Sequence, residues 1–278
     1  MNYFAFISGL PELSFDEQKK VLSTKEYKEE IYDILSKKDK KIVRHLYLKY
    51  DNDNLMSYLK YGEEDMVVNE QGNFSVETLL DMVEIVINEV DKWNKSYPAY
   101  FYDFLHDYFY FEKDPKEFWE DHLSSHYYNF LLTKTRNRFL KQWSELNMNI
   151  RNILTTLSAR RIGIEYSHFI VGSNEVANYL HTSNHPSGVK EYIDYYEKMC
   201  EIDEIPDLLD KEHEIDLFLW KWLDEYTFFH YFDVEKIMAY LFKLQIIERW
   251  KMLNHEKGNE IFRNIVHDLK SSVKLLKK

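Results

Sequence analysis

The sequence predicts an all-α protein, an array of long packed helices, and three observations carry that prediction. Turn residues are scarce. Glycine contributes 7 and proline 5 of the 278 residues, where an average chain takes roughly 12% from these two types. A β-rich fold needs a turn every ~8–12 residues and cannot be written with so few. Apolar residues recur at helical spacing. Val76, Leu79, Leu80, Val83, Ile87 and Val90 form one stripe. Leu140, Trp143, Ile150, Ile153, Leu154 and Leu157 form a second, and Val234, Ile237, Met238, Leu241 and Leu244 a third. Finally, start and stop signals flank these runs.

Taken in order, the helices are expected near 14–22, 25–35, 38–50, 76–95, 99–112, 115–142, 145–162, 174–182, 188–200, 208–231, 233–255 and 257–276. Ser14 with Glu17, and Ser23 with Glu26, have capping-box spacing. Asp114 followed by Pro115 reads as a cap with proline at the first helical position. Gly163 after Arg160-Arg161-Ile162 reads as a C′ glycine, with cations at the negative end of the dipole. The segment 51–73, rich in acids and Asn and holding Gly62 and Gly72, reads as a loop. Residues 1–8 read as a short, buried, extended lead-in. The chain is taken as a single all-helical unit over 1–278, divisible into 1–95, 96–172 and 173–278.

Charge narrows the partners. With 36 Lys and Arg against 48 Asp and Glu, the net charge is −12. Such a surface repels nucleic-acid phosphates and anionic lipid. The single cysteine, Cys200, excludes an intrachain disulfide and any multi-cysteine metal centre. No run approaches the roughly 18 apolar residues of a membrane helix. The apolar opening lacks a basic flank, which argues against a secretory signal. A cytoplasmic location follows.

Aromatic residues are dense in 97–111 and 220–232. Helices aromatic on most sides either fill a core or dock a partner.

Local catalytic motifs are missing. The isolated glycines allow neither G-x-G-x-x-G nor G-x-x-x-x-G-K-[ST], and no G-x-S-x-G elbow occurs. His122 and His126 stand four apart, so on a helix both reach one metal; Glu120 and Asp121 are nearby ligand types. The residue after His122 is Leu123, where a zincin needs Glu, and a solvated helix face is the simpler reading. Glu165 and His168 make one E-x-x-H, while a di-iron bundle wants two. His106-Asp107 and His267-Asp268 are His-Asp pairs, and helical metal-dependent phosphohydrolases use such a pair with a separate upstream His and a downstream Asp. A hydrolase using His106, Asp107, His122 and His126 is therefore the enzymatic alternative.

Tyr3-Phe-Ala-Phe-Ile-Ser-Gly-Leu-Pro-Glu-Leu-Ser-Phe15, Asn149 to Gly163, Phe169-Ile-Val-Gly172, Leu180-His-Thr-Ser183, and Phe232 to Trp250 followed by Glu256-Lys-Gly258 stand in that order along the chain. Together these segments resemble a bacterial domain-of-unknown-function family that is associated with V-type ATPases and remotely similar to the C-type stalk adaptor of those enzymes. The resemblance implies an all-helical, funnel-like protein, the C-type stalk adaptor of bacterial and archaeal ATPases and its d-type counterpart in the vacuolar enzyme. Such a protein sits peripherally on the inner face of the membrane. It couples the central stalk to the proteolipid ring, catalyses nothing itself and needs no cofactor or metal. Asn149-Ile-Arg151-Asn152, and Glu235 with Arg249, are similar to the polar-helix pattern of that stalk adaptor. Arg151, Arg160 and Arg161, of a residue type favoured at interfaces, together with Glu235 and Arg249, are the expected partner contacts. The arginines can instead pair with the chain's own acids. A general helical adaptor that grips a peptide or helix through its aromatic surface is the alternative outside the ATPase.

Overall fold

The computed structural model describes residues 3–15, 23–88, 93–111, 118–183 and 185–253. Among these residues the regular structure is helical and no strand occurs, as expected. The helices are α1 (Phe4–Ile7), α2 (Thr24–Ile34), α3 (Lys37–Asp65), α4 (Val76–Ile87), α5 (Ala99–Tyr110), α6 (Trp119–Lys134), α7 (Arg138–Ile162), α8 (Glu175–Thr182), α9 (Tyr196–Asp203), α10 (Leu208–Tyr226) and α11 (Val234–Leu253).

Side chains close the helix starts. Ser23 Oγ accepts from Glu26 N at 3.1 Å while Glu26 accepts from Ser23 N at 2.8 Å, a reciprocal capping box. Asn137 caps α7 through Leu140 N at 2.9 Å, and Asn174 caps α8 through Ala177 N at 3.0 Å. Asp207 caps α10 through Leu209 N and Asp210 N. Each satisfies an otherwise orphaned N–H and contributes about 1 kcal/mol. At the end of α7, Gly163 turns left-handed at φ 73°, and Ile164 N returns to Ala159 O at 3.1 Å.

Four elements depart from expectation. Residues 51–65 continue α3 and are not a loop; Gly62, at φ 79°, interrupts the helical backbone near its end. Two polar residues there, Asp51 and Asn54, are buried fasteners. Asp51 accepts from Asn73 N and Phe74 N, and Asn54 bonds both N and O of Asn69. The break expected at 143–144 falls instead at 135–137. There Asn137 starts the new helix and the Thr135 hydroxyl meets His45 Nδ1 at 2.9 Å. Residues 4–7 form a single helical turn, not an extended lead-in. The helix expected at 188–200 is a 3₁₀ turn, Pro186–Glu191, followed by α9. The signals at Glu17 and Asp114-Pro115, the segment Glu256-Lys-Gly258 and the helix expected at 257–276 lie outside the described residues.

The chain forms two compact units. In the unit Lys41–Asp203, the core joins Leu48 and Leu55 of α3, Leu79, Met82, Val83 and Val86 of α4, Phe101, Phe104 and Leu105 of α5, and Trp119 and Leu123 of α6. Asn152 of α7, fully buried, donates to Val171 O at 2.8 Å and accepts from Val171 N at 2.9 Å, which pins the backbone at Val171 to α7. The unit Met1–Lys40 with Glu204–Lys278 packs α2 on α11. Tyr27 stacks near Tyr240 at 5.0 Å, and Thr24 N and Oγ1 donate to Glu248 at 2.7 and 2.6 Å.

Candidate functional site

The aromatic helix α5 and the histidine-bearing helix α6 lie side by side, and the burial of Phe104 and Trp119 between them fixes their register. On α6, His122 and His126 are one helical turn apart and share a face. Opposite them on α5 stands Asp107. Its Oδ2 lies 3.1 Å from His122 Nε2 and 3.2 Å from His126 Nε2, and the two Nε2 atoms are 3.2 Å apart. The rings are held by packing. His122 is edge-on to Trp119 at 5.3 Å, and both imidazoles touch Phe104 at 6.2 Å. Burial, then the neighbouring His122, lower the affinity of His126 for a proton; Asp107 partly opposes them. The three side chains present convergent nitrogen and carboxylate atoms of the types that hold a divalent transition-metal ion.

The candidate ligands named from sequence divide sharply. Asp107, His122 and His126 meet. Glu120 turns away to Lys60 at 2.5 Å, and Asp121 pairs with Arg151. His106 packs on Tyr102, Tyr110 and Phe111, so the His106-Asp107 dipeptide splits between two environments. Glu165 accepts from Tyr166 N and Ser167 N, while His168 stacks on Phe118. The dipeptide His267-Asp268 lies outside the described residues. A second grouping, His230, Asp233 and Glu235, is not among the sequence-based candidates; the H-x-x-D-x-E spacing is its signal. Its Asp233 also accepts from Lys236 N at 3.1 Å at the start of α11, so that carboxylate serves as a helix cap.

Arg151, Arg161 and Arg249, expected at a partner surface, engage acids of the same chain. Arg151 bonds Asp121, whose carboxyl is held above its ordinary value by burial despite that arginine. Arg161 bonds both the carboxylate and the carbonyl of Asp203. Arg249 reaches Glu212 at 2.9 Å and grips Asp216, which also accepts from Trp250 Nε1 at 2.7 Å. Burial works against the Arg249 charge, but Asp216 and Glu212 outweigh it and raise its proton affinity. Arg160 is exposed on the last turn of α7, and Glu235 is half-buried in the first turn of α11.

Among the described residues, aromatic side chains are exposed at Tyr61, around the end of α5 at Phe109, Tyr110 and Phe111, and between α10 and α11. The connection from α10 to α11 leaves Phe228 66%, Phe229 80% and Tyr231 60% exposed. Phe4, itself 57% exposed, joins them by packing on Phe232 at 4.7 Å, and Tyr3 N donates to Phe232 O at 2.8 Å.

No curated protein and no solved structure matches this chain. A family model described as "Protein of unknown function (DUF2764)" matches residues 1–273, and the chain belongs to that family.

Proposed function

We propose that this chain is a non-catalytic structural component of a V/A-type ion-translocating ATPase, similar to the C-type stalk adaptor, which couples the central stalk to the proteolipid ring. The resemblance of its N-terminal, central and C-terminal segments to the ATPase-associated family motivates the reading. The observation that carries a docking role is the aromatic turn 228–231. Water-exposed phenylalanines cost solvation, so a partner that covers them gains their burial. An adaptor that transmits torque must also be stiff, and within the unit Lys41–Asp203 close-packed helices filled with Tyr47, Phe101, Phe104 and Phe139 supply stiffness. Among the described residues no helix is long and apolar enough to cross a membrane, so contact with the ring is peripheral in this proposal.

The test is direct binding of the purified chain to purified central-stalk subunits of the same ATPase. The double variant Phe228→Ser/Phe229→Ser should bind at least about tenfold more weakly, the range of an interface hot spot, and melt at the same temperature. Equal binding by the variant, or none by the parent chain, refutes the reading. Capture of an unrelated helical peptide by the same face would favour a general adaptor instead.

A further inference from the structure

We propose that Asp107, His122 and His126 form a binding site for one divalent transition-metal ion that clips α5 to α6. The site is separate from the ATPase reading and stands without it.

Three observations converge. The first is spacing. A zinc ion bound at about 2.0–2.1 Å in a tetrahedron sets its ligand atoms about 3.3–3.4 Å apart, and an octahedral ion sets neighbouring ones about 2.9 Å apart. The three separations, 3.1, 3.2 and 3.2 Å, fall between these limits and are nearly equal. The triangle they describe is one face of a coordination polyhedron. The second is preorganisation. Trp119 and Phe104 fix the imidazole planes, so little rotamer freedom remains to be lost on binding. The third is access. The side chains of His122, His126 and Asp107 keep 33%, 23% and 31% of their surface. An ion can therefore enter, and the positions beyond the three protein ligands stay open to water.

Two imidazoles with one carboxylate suit zinc, iron(II) or manganese(II) and are poor for calcium or magnesium, which prefer all-oxygen shells. Asp103, one turn before Asp107 on α5, adds negative potential at His126. Neither ligand helix needs these side chains as caps: the three residues lie inside α5 and α6. That distinguishes them from the His230, Asp233 and Glu235 group, whose aspartate caps α11.

The test uses the full chain, stripped with a chelator and titrated with zinc by calorimetry and with cobalt by visible absorption. One equivalent should bind saturably and raise the melting temperature with ion concentration. Loss of a residue that merely orients a ligand weakens metal binding roughly 10–100-fold; His122→Ala and His126→Ala remove ligands outright and should exceed that. Asp107→Asn, nearly isosteric and helix-compatible, should weaken binding even if the histidine variants fold poorly. His230→Ala should leave it unchanged. Absence of saturable binding by the parent chain, or undiminished binding by Asp107→Asn and the His122→Ala/His126→Ala double variant, overturns the site. Stalk binding by any of these variants reports on the proposed function alone.

Discussion

Replacing Arg249 with alanine separates an internal role from an external one. The Asp216 side chain is 5% exposed and takes bonds from Arg249 Nε at 3.0 Å, from Arg249 Nη2 and from Trp250 Nε1. Without the guanidinium, a buried carboxylate keeps only the indole. Breaking a buried ion pair from one side costs about 3–5 kcal/mol. The Arg249 side chain is 42% exposed, so water can enter the vacated space, and screening brings the expected loss to about 2–3 kcal/mol. At about 2 °C per kcal/mol for a chain of this size, the melting temperature should fall by about 4–6 °C. Arg249→Lys, a point charge in place of a fork, should recover part of it. Thermal unfolding followed by far-ultraviolet circular dichroism measures both. A midpoint for Arg249→Ala within about 1 °C of the parent would show that the guanidinium contributes nothing inside, and would refute the reasoning.

Three further outcomes follow from single contacts. Asn152→Ala leaves the buried N–H and C=O of Val171 unpaired and should cost about 2–6 kcal/mol in urea unfolding, at about 1–3 for each orphaned group; a loss below about 1 contradicts the bridge. A Cβ on Gly172, at φ 81°, would sit 2.2 Å from Met148 Sδ, whereas one on Gly163, at φ 73°, meets nothing within 4 Å. Gly172→Ala should therefore destabilise more than Gly163→Ala, by about 1–3 kcal/mol; equal losses would rule the clash out. Burial, then Arg44, hold His45 below its ordinary value of 6.5. Below that value the unfolded chain binds more protons, so stability falls as the pH drops through the ordinary histidine range. His45→Asn keeps a polar atom toward Thr135 and should flatten the fall between about pH 7 and pH 5, read as urea midpoints across the window; an unchanged slope counts against it.

Fold class is legible in the sequence because scarcity of glycine and proline and the 3.6-residue period are properties of long stretches. The cap at Ser23 and the glycine at Gly163 are legible because each works within its own turn. Registers are less so. In α4 the buried face is Leu79, Met82, Val83 and Val86, while Ile87 of the expected stripe is 48% exposed. Apolar residues cover most of that helix, so periodicity alone chooses poorly between neighbouring faces. Residues 51–65 mislead for a different reason. Asp51, Asn52 and Asn54 have loop composition, yet Asp51 and Asn54 work inside a helix as receptors for the backbone of residues 69–74, a tertiary role with no local trace. Asn152 is another such case. At the candidate metal site, the spacing of His122 and His126 is visible and Asp107 stands out beside His106. That Asp107 and not Glu120 or Asp121 completes the group depends on how α5 packs against α6. The arginines show the same limit: their type suits an interface, but only the folded chain brings Asp121, Asp203 and Asp216 beside them.

The most direct test of the central claim is affinity purification of the chain, tagged at one end, from detergent-solubilised native membranes, followed by quantitative mass spectrometry. Central-stalk and proteolipid subunits of a V/A-type ATPase should be recovered in fixed ratio to the chain, and should be lost when Phe228 and Phe229 are both replaced by serine. Recovery of the chain without any ATPase component would contradict the proposed role.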